Sequence, residues 1–223
     1  MVPAGLRRWL ESGRTGIKVC GITREEDALS AIEAGVDALG FNFYPGSKRA
    51  VRLSEVAGWV DKLPPDIGRV AVVVHADETL LGDLHESGLF HALQFHGGES
   101  ADICALHGGN FYIKACPISD EGSADMALAD PAPCLLLDAH APGVFGGTGR
   151  VIDWTLAARL AAAKRPVVLS GGLNADNVAD AVRRVRPTAV DTASGVESSP
   201  GRKDSGKMRA FVAAVREGQG ATD

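Results

Sequence analysis

The sequence predicts an α/β protein built as a single (β/α)8 barrel. Three observations carry that prediction. Short apolar runs alternate with helical periodicities eight times along the chain, with no long linker between units. Runs such as Leu135-Leu136-Leu137 are continuously apolar, the pattern of strands buried on both faces in a parallel sheet. At 223 residues the chain fits one such domain, somewhat below the ~250 typical of the closed barrel. A doubly wound open sheet is the alternative. The first strand–helix turn, CGITREE, lacks GxGxxG, which counts against a dinucleotide-binding version.

Residues 1–16 lack periodicity and read as a loose or short-helical extension before a barrel spanning 17–218, with 219–223 as a tail. Strand 1 is Ile17 to Cys20, ended by Gly21; Thr23 and Glu26 have capping-box spacing for a helix that stops at Gly35. Strand 2 is Ala38 to Phe43, and the helix from Leu53 to Leu63 is expected to be capped by Ser54 and closed by Pro64-Pro65. Strands at Val70–Val74, Ala92–Phe95 and Phe111–Ala115 alternate with helices at Asp77–Glu86, Ser100–His107 and Glu121–Ala129. Strand 6, Cys134 to Leu137, ends in Asp138. A loop bearing Pro142, Gly143, Gly146, Gly147 and Gly149 follows, then Asp153 and a helix from Trp154 to Ala163. Val167–Leu169 ends in Ser170-Gly171-Gly172, Asn174 is expected to cap the helix to Val185, Ala189–Val190 ends in Asp191, and Asp204 opens the last helix.

Composition narrows the function. A net charge of −5 argues against a general nucleic-acid or anionic-membrane binder, while leaving room for a local basic pocket. No apolar run reaches transmembrane length, and Arg7-Arg8 is followed by ESGRTG rather than the apolar core of a signal peptide. The four cysteines form no CxxC pair, as expected of free thiols in a reducing, cytoplasmic setting. The six histidines show no paired spacing, so no metal site is expected. GxSxG is absent.

In a (β/α)8 barrel the chemistry lies at the C-terminal ends of the strands. There the sequence places Cys20, Arg49, His75, His96, Cys116 and Asp138. Asp138 either opens a turn or sits in a catalytic mouth. Cys20 is either a small buried hydrophobe or a thiol ionised near a helix N-terminus. Ser170, Gly171, Gly172, Ser194 and Gly195 are candidates to surround a phosphate, because small residues leave backbone N–H groups accessible and loops 7 and 8 are where such sites recur. Turn-making is the plainer role for those glycines. Arg49 is either a solvated turn residue or a clamp for a second substrate anion.

Six segments together resemble the phosphoribosylanthranilate isomerase family: KVCGIT (18–23), GFNFYPGSKRAV (40–51), LQFHGGE (93–99), LLLDAHAPGVFGGTGRVIDW (135–154), SGGLNADNV (170–178) and VDTASGVESSPGRKD (190–204). Ile152 and Phe95 depart from the family's usual Phe and Leu, and the N-terminal extension is longer than usual. The resemblance implies a cofactor-free barrel acting on a small phosphorylated substrate. Cys20 would be the general base and Asp138 the general acid. Arg49 would hold the anthranilate carboxylate, and the two glycine loops the 5-phosphate. Asp191 is grouped with the substrate-binding residues and is the fallback base. The ordinary thiol and carboxyl pKa values are the wrong way round for these roles, so a lowered Cys20 and a raised Asp138 are expected. A non-catalytic phosphate-binding barrel would not need both groups. Indole-glycerol-phosphate synthase would need a glutamate at a strand end, and a dual-specificity isomerase would need paired aspartates. The oligomeric state is not legible.

Overall fold

A computed structural model describes residues 1–139 and 152–220. A 3-10 turn at Ala4–Leu6 leads into α1 (Arg7–Leu10). The first half of the barrel is β1 (Gly16–Cys20), α2 (Glu25–Glu33), β2 (Ala38–Asn42), α3 (Leu53–Val60), β3 (Gly68–Val73), α4 (Glu78–Glu86), β4 (Ala92–Phe95) and α5 (Ala101–Gly108). The second half is β5 (Ile113–Ile118), α6 (Glu121–Ala129), β6 (Cys134–Ala139), α7 (Trp154–Ala161), β7 (Val167–Leu169), α8 (Val178–Val185) and β8 (Ala189–Thr192). A hairpin of β9 (Glu197–Ser199) and β10 (Arg202–Lys203) precedes α9 (Ser205–Gly220). Each barrel strand pairs in parallel with the next, and β8 closes on β1 through Gly16–Ala189 to Val19–Thr192. The closed barrel is therefore the fold, and the open sheet is excluded. Among the described residues no helix is long and apolar enough to cross a membrane.

Alternation along the strands splits the core in two. Ile17, Val19, Leu39, Phe41, Leu135 and Leu137 belong to the cluster between strands and helices. Ala38, Val70, Ala92, Ile113, Leu136 and Val168 belong to a second cluster inside the barrel. Adjacent residues on one strand are thus buried against different partners, which is why the sequence runs are continuously apolar.

The N-terminal segment is short-helical and not loose. Leu6 and Trp9 are fully buried and join the inner cluster. They close the barrel where its strands begin: a Cβ added to Gly16 would lie 2.0 Å from the Trp9 carbonyl oxygen, and one added to Gly68 would lie 2.9 Å from Leu6 Cδ2. Beside them the fully buried Asp37 carboxylate accepts from Arg8 Nε at 3.1 Å, from Arg14, and from the Ile17 amide at 3.0 Å. Arg216 of α9 stands 3.5 Å away. One carboxylate ties both chain ends to β1.

Helix starts follow the sequence where a short polar side chain is free to accept an amide proton. Asp77, Ser100 and Asp153 do so for α4, α5 and α7, and Asp204 accepts from Lys207 at the head of α9. Three expected caps are not made. The Thr23 hydroxyl instead donates to the Gly201 carbonyl at 2.7 Å, and α2 begins after Arg24. Helix α3 begins one residue before Ser54, with Glu55 accepting from the Arg52 amide at 2.9 Å. Asn174 forms an Asx turn onto the Asp176 amide at 2.8 Å, and α8 starts at Val178.

Two substitutions test the floor. Trp9→Ala is expected to cost about 3–5 kcal/mol, as for an aromatic removed from a core. Asp37→Asn is expected to cost about 3 kcal/mol, the low end for breaking a buried ion pair. The reason is that its arginines are about one-third exposed and can turn to water. Urea unfolding with an unchanged slope and a lowered midpoint reads both; an unshifted midpoint contradicts a load on the floor.

Candidate active site

The inward positions nearest the C-terminal strand ends converge on one cavity of about 60 Å3, lined by Cys20, Asn42, Gln94, His96, Asp138 and Asp191, with Arg49 and Ser170 beside them. Two glycines make room for it. Gly40 faces Cys20 across the β1–β2 pair, and a Cβ there would stand 2.8 Å from Sγ. Gly21, at φ +75°, lets the Arg49 stem cross the end of β1; a Cβ there would stand 2.4 Å from Arg49 Cδ.

Beneath Cys20 lies a sealed ion pair. Lys18 Nζ meets Asp191 Oδ1 at 2.9 Å across the β1–β8 register, with the Ser170 hydroxyl 3.4 Å from Oδ2. Burial works against the Lys18 ammonium, but Asp191 and Cys20 more than offset it, and its pKa stands above the ordinary lysine value. Burial raises Asp191, and the attraction of Lys18 only partly opposes this. Asp191 therefore has a resident partner.

The expectation for Cys20 is corrected. Burial pushes the thiol up; Lys18 and Lys203 pull it down by less, and Asp191 adds to the rise. Nor does a helix end help, since α2 starts only at Glu25. The thiol is thus held above its ordinary value, not below it.

Asp138 is the penultimate residue of β6, on the opposite side. Its Oδ1 accepts from the Ala139 amide at 2.9 Å, and Oδ2 stands 3.3 Å from His96 Nε2. Gln94 Nε2 lies 3.1 Å from His96 Nδ1, so Gln94 donating there leaves the ring proton on Nε2, facing Asp138.

Arg49 is not a solvated turn residue. Its Nε and Nη2 donate to the two oxygens of Glu197, each at 2.7 Å. The two glycine loops are brought together as expected: Thr192 Oγ1 donates to the Leu173 carbonyl at 2.7 Å, and a Cβ on Gly195 would lie 2.0 Å from that oxygen. Gly171 and Gly172 have φ of +84° and +63°. Gly171, Gly172, Ser194 and Gly195 do not line the described cavity. Pro142, Gly143, Gly146, Gly147 and Gly149 lie outside the described residues. Asp153 acts as a helix cap, accepting from the Thr155 amide at 2.7 Å. The other strand-end cysteine, Cys116, is buried, with its pKa pushed up to about 11.

Sequence reasoning placed His96 at a strand end without assigning it a role, and gave none to Lys18, Gln94, Glu197 or Lys203. Counting back by two from Cys20 would have put Lys18 inside, and the same count places Gln94 with His96.

Comparison with known proteins decides the family. The family model described as N-(5'phosphoribosyl)anthranilate (PRA) isomerase matches residues 17–214. The chain belongs to the phosphoribosylanthranilate isomerase family. It is 47% identical over 202 residues to the N-(5'-phosphoribosyl)anthranilate isomerase of Pseudomonas paraeruginosa, covering 90% of this chain and 94% of that one. The crystal structure of the Thermotoga maritima isomerase is similar at a TM-score of 0.84 and 38% identity, over 91% of this chain and 98% of that one. A phosphoribosylanthranilate isomerase crystallised with reduced 1-(o-carboxyphenylamino)-1-deoxyribulose 5-phosphate is similar at a TM-score of 0.81 and 36% identity, over the same shares.

The raised thiol predicts slow chemistry at neutral pH. Iodoacetamide should modify Cys20 slowly at pH 7, with a rate that keeps climbing past about 8.5, the ordinary thiol value. Mass spectrometry of the labelled peptide measures this. Fast labelling that levels off below pH 8 contradicts it.

Proposed function

We propose that this family member converts N-(5-phosphoribosyl)anthranilate to 1-(2-carboxyphenylamino)-1-deoxyribulose 5-phosphate with Cys20 as base and Asp138 as acid. The observation that carries the reading is that Cys20 and Asp138, from strands 1 and 6, line one cavity with Arg49. The chemistry is proton movement alone. Asp138 gives its proton to the furanose ring oxygen as the C1–O bond breaks, and the anthranilate nitrogen lone pair forms the C1=N iminium. The Cys20 thiolate then takes the C2 proton, and those electrons form the C1=C2 enolamine while neutralising the iminium nitrogen. C1 then takes back the proton held by the Cys20 thiol while the C2 hydroxyl gives its proton to the Asp138 carboxylate, which forms the ketone and returns Cys20 to thiolate and Asp138 to acid.

Arg49 would take the anthranilate carboxylate, and the Gly171–Gly172 and Ser194–Gly195 amides the 5-phosphate. Asp191, tied to Lys18, would support the site beneath the sugar, together with Ser170. The four free thiols suit the reducing cytoplasm.

Anthranilate fluorescence decay on adding purified protein to phosphoribosylanthranilate tests the activity. Cys20→Ser and Asp138→Asn should each lower kcat by about 10²–10⁴-fold, the usual worth of a general acid or base. They act on one substrate, so the double mutant should not show the product of the two losses. Because Cys20 must be deprotonated while Asp138 is protonated, a thiol raised by burial should set an alkaline limb of wild-type kcat/KM above neutrality, and that limb should vanish in Cys20→Ser. Arg49→Ala should chiefly raise KM, by the equivalent of roughly 2–5 kcal/mol. A fully active Cys20→Ser enzyme would transfer the role of base elsewhere, with Asp191 the nearest carboxylate to examine.

A further inference from the structure

The Arg49–Glu197 pair belongs to a larger buried cluster that the proton chemistry does not use. Glu197 Oε1 also accepts from Lys203 Nζ at 2.9 Å and from the Gly201 amide at 3.3 Å. Lys203 Nζ, wholly buried, donates further to the Cys20 carbonyl at 2.6 Å and the Ala193 carbonyl at 3.1 Å. The β9–β10 hairpin creates this arrangement by pairing Lys203 directly with Glu197. Arg49 approaches from the loop after β2, its side chain 16% exposed.

Two cations on one buried carboxylate are a poor device for merely fastening a hairpin, because apolar side chains do that without desolvating charge. The geometry of the guanidinium suggests another use. Its Nε/Nη2 edge is filled by Glu197, while Nη1 has no hydrogen-bond partner among the described residues. A guanidinium has a second edge, Nη1/Nη2, that can also grip a carboxylate with two parallel bonds. Arg49 lines the cavity that holds Cys20 and Asp138.

We infer that Glu197, counter-charged by Lys203, is a positioning residue that fixes the Arg49 guanidinium so that its Nη1/Nη2 edge meets the substrate's carboxylate. The inference rests on the reading of Arg49 as the carboxylate clamp. Lys203 completes the device. It neutralises the second charge of the ion cluster and, by bonding to the Cys20 and Ala193 carbonyls, holds the clamp in register with the strand end that carries the base. Burial alone would raise the Glu197 carboxyl, but Arg49 and Lys203 outweigh it and keep the acid ionised.

The test is a KM-against-kcat split in Glu197→Gln, alone and combined with Arg49→Ala. Glu197→Gln keeps the size but loses the charged fork, so KM should rise about tenfold or more, the scale of one hydrogen bond to a charged group, with kcat within about twofold. In the Arg49→Ala background it should change KM no further. Glu197→Asp, which keeps the charge but retracts the guanidinium by one methylene, should raise KM in the same sense and serves if the glutamine variant does not fold. Circular dichroism and the melting midpoint establish folding for each. An unchanged KM in a folded variant overturns the inference. A fall in KM overturns it too, since Glu197 would then be competing with substrate. An equal rise with and without Arg49 overturns it by showing that the hairpin, not the clamp, was disturbed. The Arg49→Ala single variant decides the underlying reading by itself: with KM unchanged there, the clamp is lost as well as its positioning.

Discussion

Closure of eight parallel strands is the constraint on which the rest depends. Closing the sheet leaves no free edge, and every strand then has one face toward the helices and one toward the axis. The axis is narrow, so small and medium side chains such as Ala38, Val70, Ala92 and Ala189 fill its lower levels. Lys18 enters that interior with a cross-strand partner in register, Asp191. Above that pair the same alternation delivers Cys20, His96 and Asp138 to one opening. The site is thus a property of the strand phase; a one-residue slip in β1 would turn Cys20 toward the helices.

The two ends of the barrel use charge differently. At the floor one carboxylate, Asp37, gathers arginines from both chain termini. These arginines reach water, so the cluster can stabilise without full desolvation. At the mouth the charges are more deeply buried. Lys18, Arg49 and Lys203 stand against Asp191, Glu197 and Asp138, so the described cations and carboxylates of the mouth match in number.

Much of this was legible in the sequence. The continuous apolar runs gave the strands, and chemistry-bearing residues at their ends gave Cys20 and Asp138. Helix starts were legible where Asp or Ser had no competing partner, as at Asp77 and Ser100. They failed at Thr23, whose hydroxyl is taken by a carbonyl 178 residues away. The N-terminal segment was opaque for a similar reason. Val2, Leu6, Trp9 and Leu10 do fall at helical spacing, but the run is too short to show by itself that it is buried, and the barrel floor supplies what it packs against. Glu197 and Lys203 have no role legible beyond their place in the segment 190–204, because nothing local shows that a hairpin faces them toward Arg49.

The raised Cys20 thiol is not at odds with its proposed role as base. A base is useful in proportion both to the fraction present as base and to its strength, and these two move oppositely with pKa. Burial makes the thiolate scarcer at rest but stronger when formed, and the proton to be removed sits on carbon, where strength matters. Lys18 and Lys203 oppose that scarcity, since both pull the thiol down against burial. Neither lysine is free to drift: one is held by Asp191, the other by Glu197 and two strand-end carbonyls. The same buried ion pairs that settle the charge of the mouth also fix the distance from those cations to the sulfur. Stability and reactivity at this end of the barrel are set by one group of side chains.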